Sequence, residues 1–407
     1  MRYFLVLILF VTVALTGCGQ RRTSDEVIMW LVGSEAQSTN VNELAKKFYD
    51  ETGIKVRCEA IPWGEAHFKY LTAVAGGVPP DIGTMGLTWG AEFGELGTMV
   101  DLGTEFSDDI KALEKDTFSG IWDSVEYKER VYGIPFDMTI HIMYYRKDII
   151  NRAPETWEEL ASLLEKLNKD GKGMLFDWGS MGWIGYSTYL WQAGGNFYND
   201  SCTESIVDSQ ESLKAMKFFT DLYTVYKVPK TKIPLEQGMR TGDFPIGISG
   251  NWKIIGLTIG APEIKDKWAI ANLPKGPSGK KTAFLGGRIM GIFSQAKNKE
   301  KAWEFIKFLF RPESQVYLYK SSLETQDAYL PPNTDSWKML EMDPEFKKVL
   351  IAQALDAQGP PPVLGWDTTT RHINQAIQRI ILQKAGIVEE LRTLKGLMDL
   401  ELKRAQR

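Results

Sequence analysis

Beyond its first 25 residues, the chain opens with the pattern of a buried strand, a helix and a second strand. Residues 27–32 (VIMWLV) form an unbroken apolar run, which is typical of a strand buried on both faces in a parallel sheet. Apolar residues then recur at helical spacing over 41–48, with Asn40 as the expected N-cap. Residues 54–58 alternate as a second strand. A β-α-β opening predicts a parallel sheet flanked by helices, and therefore an α/β fold.

Similar patterns continue along the chain. A helix is predicted over 68–74, followed by a strand over 82–85 that leads into a loop with Thr88 and Trp89 at its carboxyl end. Ligands of open α/β sheets bind at that end of the strands. The remaining main predictions are strands at 136–145 and 283–293, a helix at 299–309, a helix over 371–402 that breaks near Gly386, and a capped helix start at Thr156 with Glu159 three residues later.

Composition limits the class of partner. The net charge is −4 over 407 residues, and the chain has no basic stripe of the kind that binds nucleic acid. The nearest basic group, Lys403, Arg404 and Arg407, is expected to be a solvated helix end. The chain contains 13 tryptophans, and such an excess suits a protein that stacks indoles on flat apolar faces, such as those of sugar rings.

The first 25 residues have the pattern of an export signal. Arg2 precedes an uncharged apolar stretch over 3–15, which is shorter than the roughly 20 residues that a membrane-spanning helix needs. The following Leu15-Thr16-Gly17-Cys18 resembles the bacterial lipobox, in which cleavage occurs before an acylated cysteine. The resemblance implies a signal peptide over 1–17, lipidation of Cys18 and a tether over 18–24. An ordinary signal peptide or an uncleaved anchor is the alternative.

Seven segments in a fixed order carry a second resemblance. They are FYDETGIKV (48–56), AVAGGVPPDI (73–82), YGIPFDMTIHIMYYRKDI (132–149), APETWEEL (153–160), QAGG (192–195), GISGNW (247–252) and NKEKAWEFIKFLFRPESQ (298–315). Together they resemble the extracellular solute-binding protein family typified by the maltose-binding and multiple-sugar-binding proteins. The resemblance covers nearly the whole chain after the tether.

The resemblance implies a periplasmic-binding-protein-like α/β fold of two lobes, each discontinuous in sequence, joined by a hinge. The first lobe would hold residues 25–135 and 281–330, and the second would hold residues 136–280 and 331–407. A solute, expected to be a carbohydrate, would bind in the cleft, and the lobes would close over it because it makes better contacts in the closed state.

The resemblance also implies the partners and the location. A permease of an ABC importer in the membrane would recognise the closed form. We expect a monomer that the lipid on Cys18 holds in the cell envelope, outside the cytoplasm. Nucleic acid is not an expected partner, and the protein is not expected to be an enzyme.

The other cysteines and the histidines do not suggest a metal site. Cys58 and Cys202 are expected to be two separate buried thiols, because a disulfide between the lobes would lock the hinge. His67, His141 and His372 lack the spacing of zinc ligands. The sequence therefore predicts neither a metal nor a cofactor.

A sugar site needs aromatic plates for the ring faces and strong hydrogen-bonding groups for the hydroxyl edges. The family's pattern and the predicted loops place such groups at Ser34, Glu35, Trp63, Thr88, Trp89, Asp137, Thr139, Trp183, Asn251, Trp252, Gly287, Arg288, Trp366 and Arg371.

Several of these residues have an alternative interpretation. Glu35 would accept hydrogen bonds from hydroxyls or else be a solvated loop acid. Trp89 and Trp183 would be stacking plates or parts of the core. Relatives often carry an acid at the position of Thr139, so Asp137 would either supply that carboxylate or form a salt bridge at the hinge.

Other residues follow the family's pattern more closely. Trp252 resembles the family's indole plate, and Asn251 would offer its amide beside it. Gly287 would let the backbone approach the ligand while Arg288 acts as a clamp. Trp366, with Arg371 after it, stands where relatives place a late aromatic residue and an arginine.

Rival functions remain open at this level. A lipid-anchored glycoside hydrolase would need two facing carboxylates, and no such pair stands out in the sequence. A metal-binding transporter subunit would need ligands that the histidines and the adjacent Tyr144 and Tyr145 do not supply. Within the same fold, a binding protein for polyamines or glycerol phosphate would use the same acids and aromatic residues.

Overall fold

The computed structural model describes residues 25–176, 178–179 and 182–405. The predicted signal peptide, the tether and Cys18 lie outside the described residues. Within the described ranges, no helix is both long and apolar enough to cross a membrane.

The strands are β1 (Val27–Val32), β2 (Val56–Ile61), β3 (Ile82–Gly86), β4 (Glu126–Tyr127), β5 (Arg130–Val131), β6 (Ile134–Arg146), β7 (Met174–Phe176), β8 (Ile246–Gly250), β9 (Trp268–Ala271), β10 (Ala283–Ile292) and β11 (Ala357–Gln358). The helices are α1 (Glu35–Thr52), α2 (Trp63–Ala75), α3 (Trp89–Glu95), α4 (Leu102–Glu105), α5 (Ser107–Lys115), α6 (Ser119–Trp122), α7 (Trp157–Lys169), α8 (Gly182–Gln192), α9 (Gln210–Thr224), α10 (Leu235–Thr241), α11 (Lys253–Gly260), α12 (Lys299–Phe310), α13 (Pro312–Thr325), α14 (Ser336–Met339), α15 (Pro344–Ala354), α16 (Trp366–Gln383) and α17 (Ile387–Ala405).

One mixed sheet runs through the molecule in the order β2-β1-β3-β10-β6-β8-β7. β1 pairs in parallel with both β2 and β3, as the β-α-β opening predicts. β11 pairs with β10, and β9 pairs with β6. Helices flank the sheet, so the predicted α/β architecture is confirmed. We call the part that contains β1 to β3 the first half, and the part that contains β7 to β9 the second half.

Two long strands are shared by the halves. β6 pairs with β10 as far as Ile140, and from His141 onward it pairs with β8 and β9. β10 pairs with β3 from Arg288 to Ile292, while Leu285 pairs only with β6. Each of these strands therefore starts in one half and ends in the other.

A third segment joins the halves later in the chain than the sequence predicts. α14 packs against α13, which packs against α1 in the first half. α15 packs against β6 and β9 in the second half. The assignment of residues 331–340 to the second lobe is therefore wrong by their packing, and the crossing follows α14.

A buried salt bridge lies where β6 and β10 meet. Asp137 and Arg288 are 3% and 4% exposed. The Nε of Arg288 donates to Asp137 Oδ2 at 3.0 Å, and its backbone N–H donates to Oδ1 at 2.9 Å. Nη1 donates to the carbonyl of Val32 and, at 3.0 Å, to Oε1 of Gln37. The pair thus ties both shared strands to the end of β1 and the start of α1.

Helices α1 and α2 begin earlier than predicted, as does α16, which begins at Trp366 rather than at Arg371. The hydroxyl of Ser34 accepts from the backbone N–H of Gln37, and the side-chain oxygen of Gln37 accepts from the backbone N–H of Ser34. This capping box starts α1 at Ser34 rather than at Asn40. α2 begins at Trp63, which was predicted to lie in a loop. The predicted cap at Thr156 is confirmed, since its hydroxyl accepts from the N–H three residues later.

The two described cysteines are unpaired. Cys58 is buried in the core of the first half, as expected. Cys202 is only half-buried, so the prediction of two buried thiols is wrong for this residue. Because neither thiol forms a disulfide, no covalent bond between these two cysteines links the halves.

The variant Asp137→Asn is expected to lower the free energy of unfolding by about 3 to 5 kcal/mol, because Arg288 then keeps a buried charge without its counter-ion. Urea unfolding measures the loss. The control is Arg152→Ala, which breaks an exposed pair with Glu159 and should cost less than about 1 kcal/mol. Equal stability of the two variants would contradict the role of the buried pair.

Candidate ligand-binding site

Three side chains form a first aromatic cluster, defined by Trp63, His67 and Trp89. Trp63 starts α2 and is 51% exposed, and its ring lies 6.0 Å from that of Trp89, which starts α3. The His67 ring lies 5.1 Å from Trp89. Gly86 ends β3 directly beneath, where a Cβ would touch both indoles at ordinary van der Waals distance. The cluster therefore stands at the carboxyl end of β3, as the fold class predicts.

Five rings form a second aromatic cluster in the second half. Neighbouring ring centroids are 5.2 to 5.9 Å apart, and each contact is edge-on. Edge-on contacts between aromatic rings are favourable beyond the area that they bury. The members, in order of contact, are Trp252, His141, Phe284, Trp183 and Trp366.

The position of Trp252 depends on a glycine. A Cβ at Gly250 would overlap the indole of Trp252, so a side chain here would displace it. Gly250 is also the residue of β8 that pairs with His141. The half-buried indole thus lies across the strand end and beside the imidazole.

Strand order places the two clusters on either side of a shared floor, which we define as the paired residues Thr139 of β6 and Gly286 of β10. Gly86 pairs with Arg288 on β10, and Gly286 pairs with Thr139 on β6. Thr139 and Gly286 are both half-buried, so solvent reaches the floor between the clusters. His141 lies two residues after Thr139 and therefore on the same face of β6.

Charges link the two clusters. His67 Nε2 and Glu92 Oε2 are 2.9 Å apart, and this hydrogen bond raises the pKa of His67. Asp367 follows Trp366 at the start of α16, and its pKa is raised, first by desolvation, while His67 opposes that rise and Glu92 adds to it. The two halves therefore approach closely enough at this point for their charges to interact.

A cavity of about 650 Å³ opens beside the second cluster. It lies between residues 119–124 of the first half and 196–202 of the second, with residues 355–362 along its side. Tyr198 lines it, and the Tyr198 ring lies 6.4 Å from that of Trp366. The contact of Tyr198 with Trp366 therefore joins the lining of the cavity to the second aromatic cluster.

The structure brings together part of the predicted site. Trp63 and Trp89 lie in the first cluster, with the half-buried Thr88 just before α3. Thr139 lies in the floor. Trp183, Trp252 and Trp366 belong to the second cluster, in which Trp366 is buried. Contacts of these seven residues with a ligand stay predictions.

Asp137, Gly287 and Arg288 have a different role from the predicted one. The carboxylate and the guanidinium bond each other and the backbone in a buried position, so the predicted clamp by Arg288 is wrong. For Asp137 the alternative of a salt bridge is right, and its place at a hinge stays a prediction. Gly287 has φ 146°, and a Cβ there would overlap the carbonyl oxygen of Asp137. The glycine therefore serves strand packing rather than the approach of a ligand.

Four further predicted residues lie apart from the clusters or use their polar atoms elsewhere. Asn251 accepts a hydrogen bond from the Ile140 N–H at 2.9 Å, so its amide oxygen does not face a ligand. The others are Ser34, which caps α1 and donates to Asp327, Glu35, which is exposed on the first turn of α1, and Arg371, which is exposed and donates to Thr368.

Several members of the site were not predicted from the sequence. His141 and Phe284 occupy alternate positions of predicted strands, on the same face as Thr139 and Gly286, and that periodicity was available. His67 and Asp367 carry no such local signal. Among the residues that the structure describes, no group of three or more histidine, cysteine, aspartate or glutamate side chains is arranged to hold a metal ion.

A sheet shared by two halves, with aromatic side chains on both sides of a floor, defines a two-lobed binding protein. Residues 43–348 match the family model described as bacterial extracellular solute-binding protein. The chain belongs to this family, so the predicted family is confirmed.

Similar proteins cover most of the chain. A maltooligosaccharide ABC transporter solute-binding lipoprotein of Streptococcus pneumoniae is 26% identical over 350 residues, which is 81% of this chain and 78% of the relative. The maltotriose-binding protein of Pyrococcus abyssi is 27% identical over 257 residues, or 59% of this chain and 53% of the relative. The solved structure of the sugar-binding protein MalE from Xanthomonas citri superposes with a TM-score of 0.84 at 23% identity, covering 94% of this chain and 98% of the other. The predicted two-lobed fold is thereby confirmed.

The stability of the protein should fall in acid because of His141. Burial lowers the pKa of this histidine from 6.5 to about 4, so between these values the unfolded chain binds a proton that the folded protein does not. The free energy of unfolding should decrease by up to about 3 kcal/mol from pH 7 to pH 4 through this group.

Urea unfolding of wild type and of His141→Leu at pH 7, 5.5 and 4.5 measures this effect. The variant should gain stability relative to wild type as the pH falls. A difference that stays constant with pH would show that His141 does not titrate in this range.

Proposed function

We propose that this protein captures a maltooligosaccharide, or a sugar of similar shape, between its two lobes and delivers it to the permease of an ABC importer. The proposal rests on the pair of aromatic clusters, one from each half. They lie on either side of a floor that is accessible to solvent. Indoles suit the apolar faces of sugar rings. The ligands named for the relatives are of the same chemical class.

The tryptophans would stack on the sugar rings, and hydroxyl and acidic groups would bind the ring edges. Thr88 and Thr139 offer hydroxyls near the two clusters, and Glu92 and Asp367 offer carboxylates. A hydrogen bond that a hydroxyl donates to a carboxylate is charge-assisted and therefore stronger than one between neutral groups. A separate cavity of about 650 Å³, whose lining residue Tyr198 contacts the second cluster, falls within the range of ligand pockets, about 300 to 1,000 Å³.

Closure of the lobes would complete the site. The lobes would meet at the shared strands and after α14, with the first lobe holding residues 25–135 and 288–340 and the second holding most of the rest. A sugar that touches both clusters is bound better when they approach, and this difference in affinity is what drives closure. The permease would then recognise the closed form.

Lipidation of Cys18 would keep the protein beside its permease. The Streptococcus pneumoniae relative is itself named a lipoprotein. More than one acyl chain is needed for an anchor that persists, and the lipobox chemistry supplies several. Within this proposal the protein works as a monomer outside the cytoplasm, and it releases its sugar unchanged.

A cationic solute is the second candidate. Glu92 and Asp367 lie beside the first aromatic cluster, and acids together with indoles also hold amines through cation–π contacts. Polyamines therefore belong in the same binding assay as the sugars.

Titration with maltotriose and maltotetraose should change the tryptophan fluorescence and raise the melting temperature. Trp252→Ala should weaken binding at least ten-fold, or about 1.4 kcal/mol, because a stacking plate is lost. Isothermal titration calorimetry measures the dissociation constant.

Trp30→Phe is the matched control. Trp30 is half-buried on β1, where its Nε1 donates to Glu59 away from both clusters, so its loss should leave affinity unchanged. Binding of spermidine but of no sugar would support the second candidate instead. Release of shorter sugars from maltotetraose would contradict a pure binding role.

A further inference from the structure

His141 places a polar ring in the second aromatic cluster without a partner. The side chain is 2% exposed. Among the described residues, no protein group lies within hydrogen-bond distance of either ring nitrogen. Burial of unpaired polar atoms destabilises a fold, and an apolar residue of similar size would avoid that cost. Stability alone therefore does not explain the histidine.

The imidazole has one buried and one half-buried aromatic neighbour. The imidazole lies edge-on between Trp252, at 5.9 Å, and Phe284, at 5.7 Å. Thr139, two residues earlier on the same face of β6, is already reached by solvent. The half-buried indole of Trp252 is the outer neighbour of the ring, and it lies over Gly250, which has no side chain to hold the indole in place.

Another buried polar atom without a partner provides a contrast. The hydroxyl of Tyr189 also has no partner among the described residues. Its ring packs against Trp157, Phe176 and Phe218 inside the second half. Tyr189 therefore shares the burial and the unpaired atom of His141 but not the position beside the floor.

We propose that His141 hydrogen-bonds a hydroxyl group of the bound solute, while the indole of Trp252 stacks on the same ring. The inference rests on the proposed function, because it adds a contact within that site. A shift of the indole across Gly250 would uncover the imidazole as the solute enters.

The chemistry of the ring favours an uncharged ligand. Burial keeps the pKa of His141 at about 4, so at pH 7 the imidazole is neutral and offers one donor and one acceptor. A sugar hydroxyl is also both donor and acceptor, so it can pair with either nitrogen. An ammonium group only donates and an ionised carboxylate only accepts, and each would bring an unpaired charge into an apolar wall. This contact therefore selects a sugar over a polyamine.

The test compares the affinity and the stability of His141 variants. The probe is maltotetraose, and calorimetry at pH 7 gives the dissociation constant. His141→Leu should weaken binding at least ten-fold, while the melting temperature of the free protein stays equal or rises because unpaired polar atoms have been removed. His141→Gln keeps a donor and an acceptor and should bind within about five-fold of wild type.

Tyr189→Phe is the matched control. It also removes a buried polar atom without a partner, so it should keep or raise the melting temperature, but its affinity should equal that of wild type. Circular dichroism checks that each variant is folded, and His141→Phe replaces His141→Leu under the same criterion if the latter does not fold.

The outcomes separate this inference from the function on which it rests. If wild type binds maltotetraose and His141→Leu binds equally well, the contact with His141 is overturned while the proposed function stands. If Tyr189→Phe weakens binding as much as His141→Leu, the effect is general to the core and the inference is likewise overturned. If wild type binds no maltooligosaccharide, both fail.

Discussion

The buried salt bridge between Asp137 and Arg288 is the interaction on which the rest of the structure depends. It joins the two strands that both halves share, and the same guanidinium holds the end of β1 and the start of α1. Its position fixes the register of β6 against β10, and therefore which residues reach the floor. Thr139 and His141 follow Asp137 at alternate positions and face the same side. In the proposed closure the clusters would move relative to each other about this point while the two charges stay paired.

The site is built from large rings placed over small residues. Gly86 lies beneath the first cluster, Gly286 lies beside Thr139 in the floor, and Gly250 lies under the indole of Trp252. Each absent side chain leaves room for a flat surface. Because the clusters come from different halves, a solute that stacks on both must hold the halves together. The same aromatic clusters thus pack the two halves and offer the surfaces on which a sugar would stack.

Local patterns in the sequence predicted much of the fold. The apolar run of β1, the cap at Thr156 and the break between α16 and α17 each depend on neighbours within a few residues. The start of α1 was missed although Ser34 and Gln37 have the spacing of a capping box. A purely local rule would have found it.

Contacts between distant residues could not be predicted in the same way. Asp137 and Arg288 are 151 residues apart, and each alone looks like a polar group available to a ligand. Only the pairing of β6 with β10 shows that they satisfy each other. For Asn251 and Arg288 the family's pattern indicated a position near the site, but it did not indicate that their polar atoms bond other protein groups. For His141 the strand periodicity indicated the face of β6, but its unpaired ring nitrogens are visible only when all of its neighbours are known.

The order of the strands also affects how the chain can be made. β3 has its neighbour β10 roughly 200 residues later in the chain, so the sheet of the first half stays incomplete until most of the protein has been synthesised. At about 5 to 20 residues per second a ribosome needs about 10 to 40 seconds to supply that strand. During this interval the nascent chain cannot close its first sheet, so the edge of β3 stays without its partner strand.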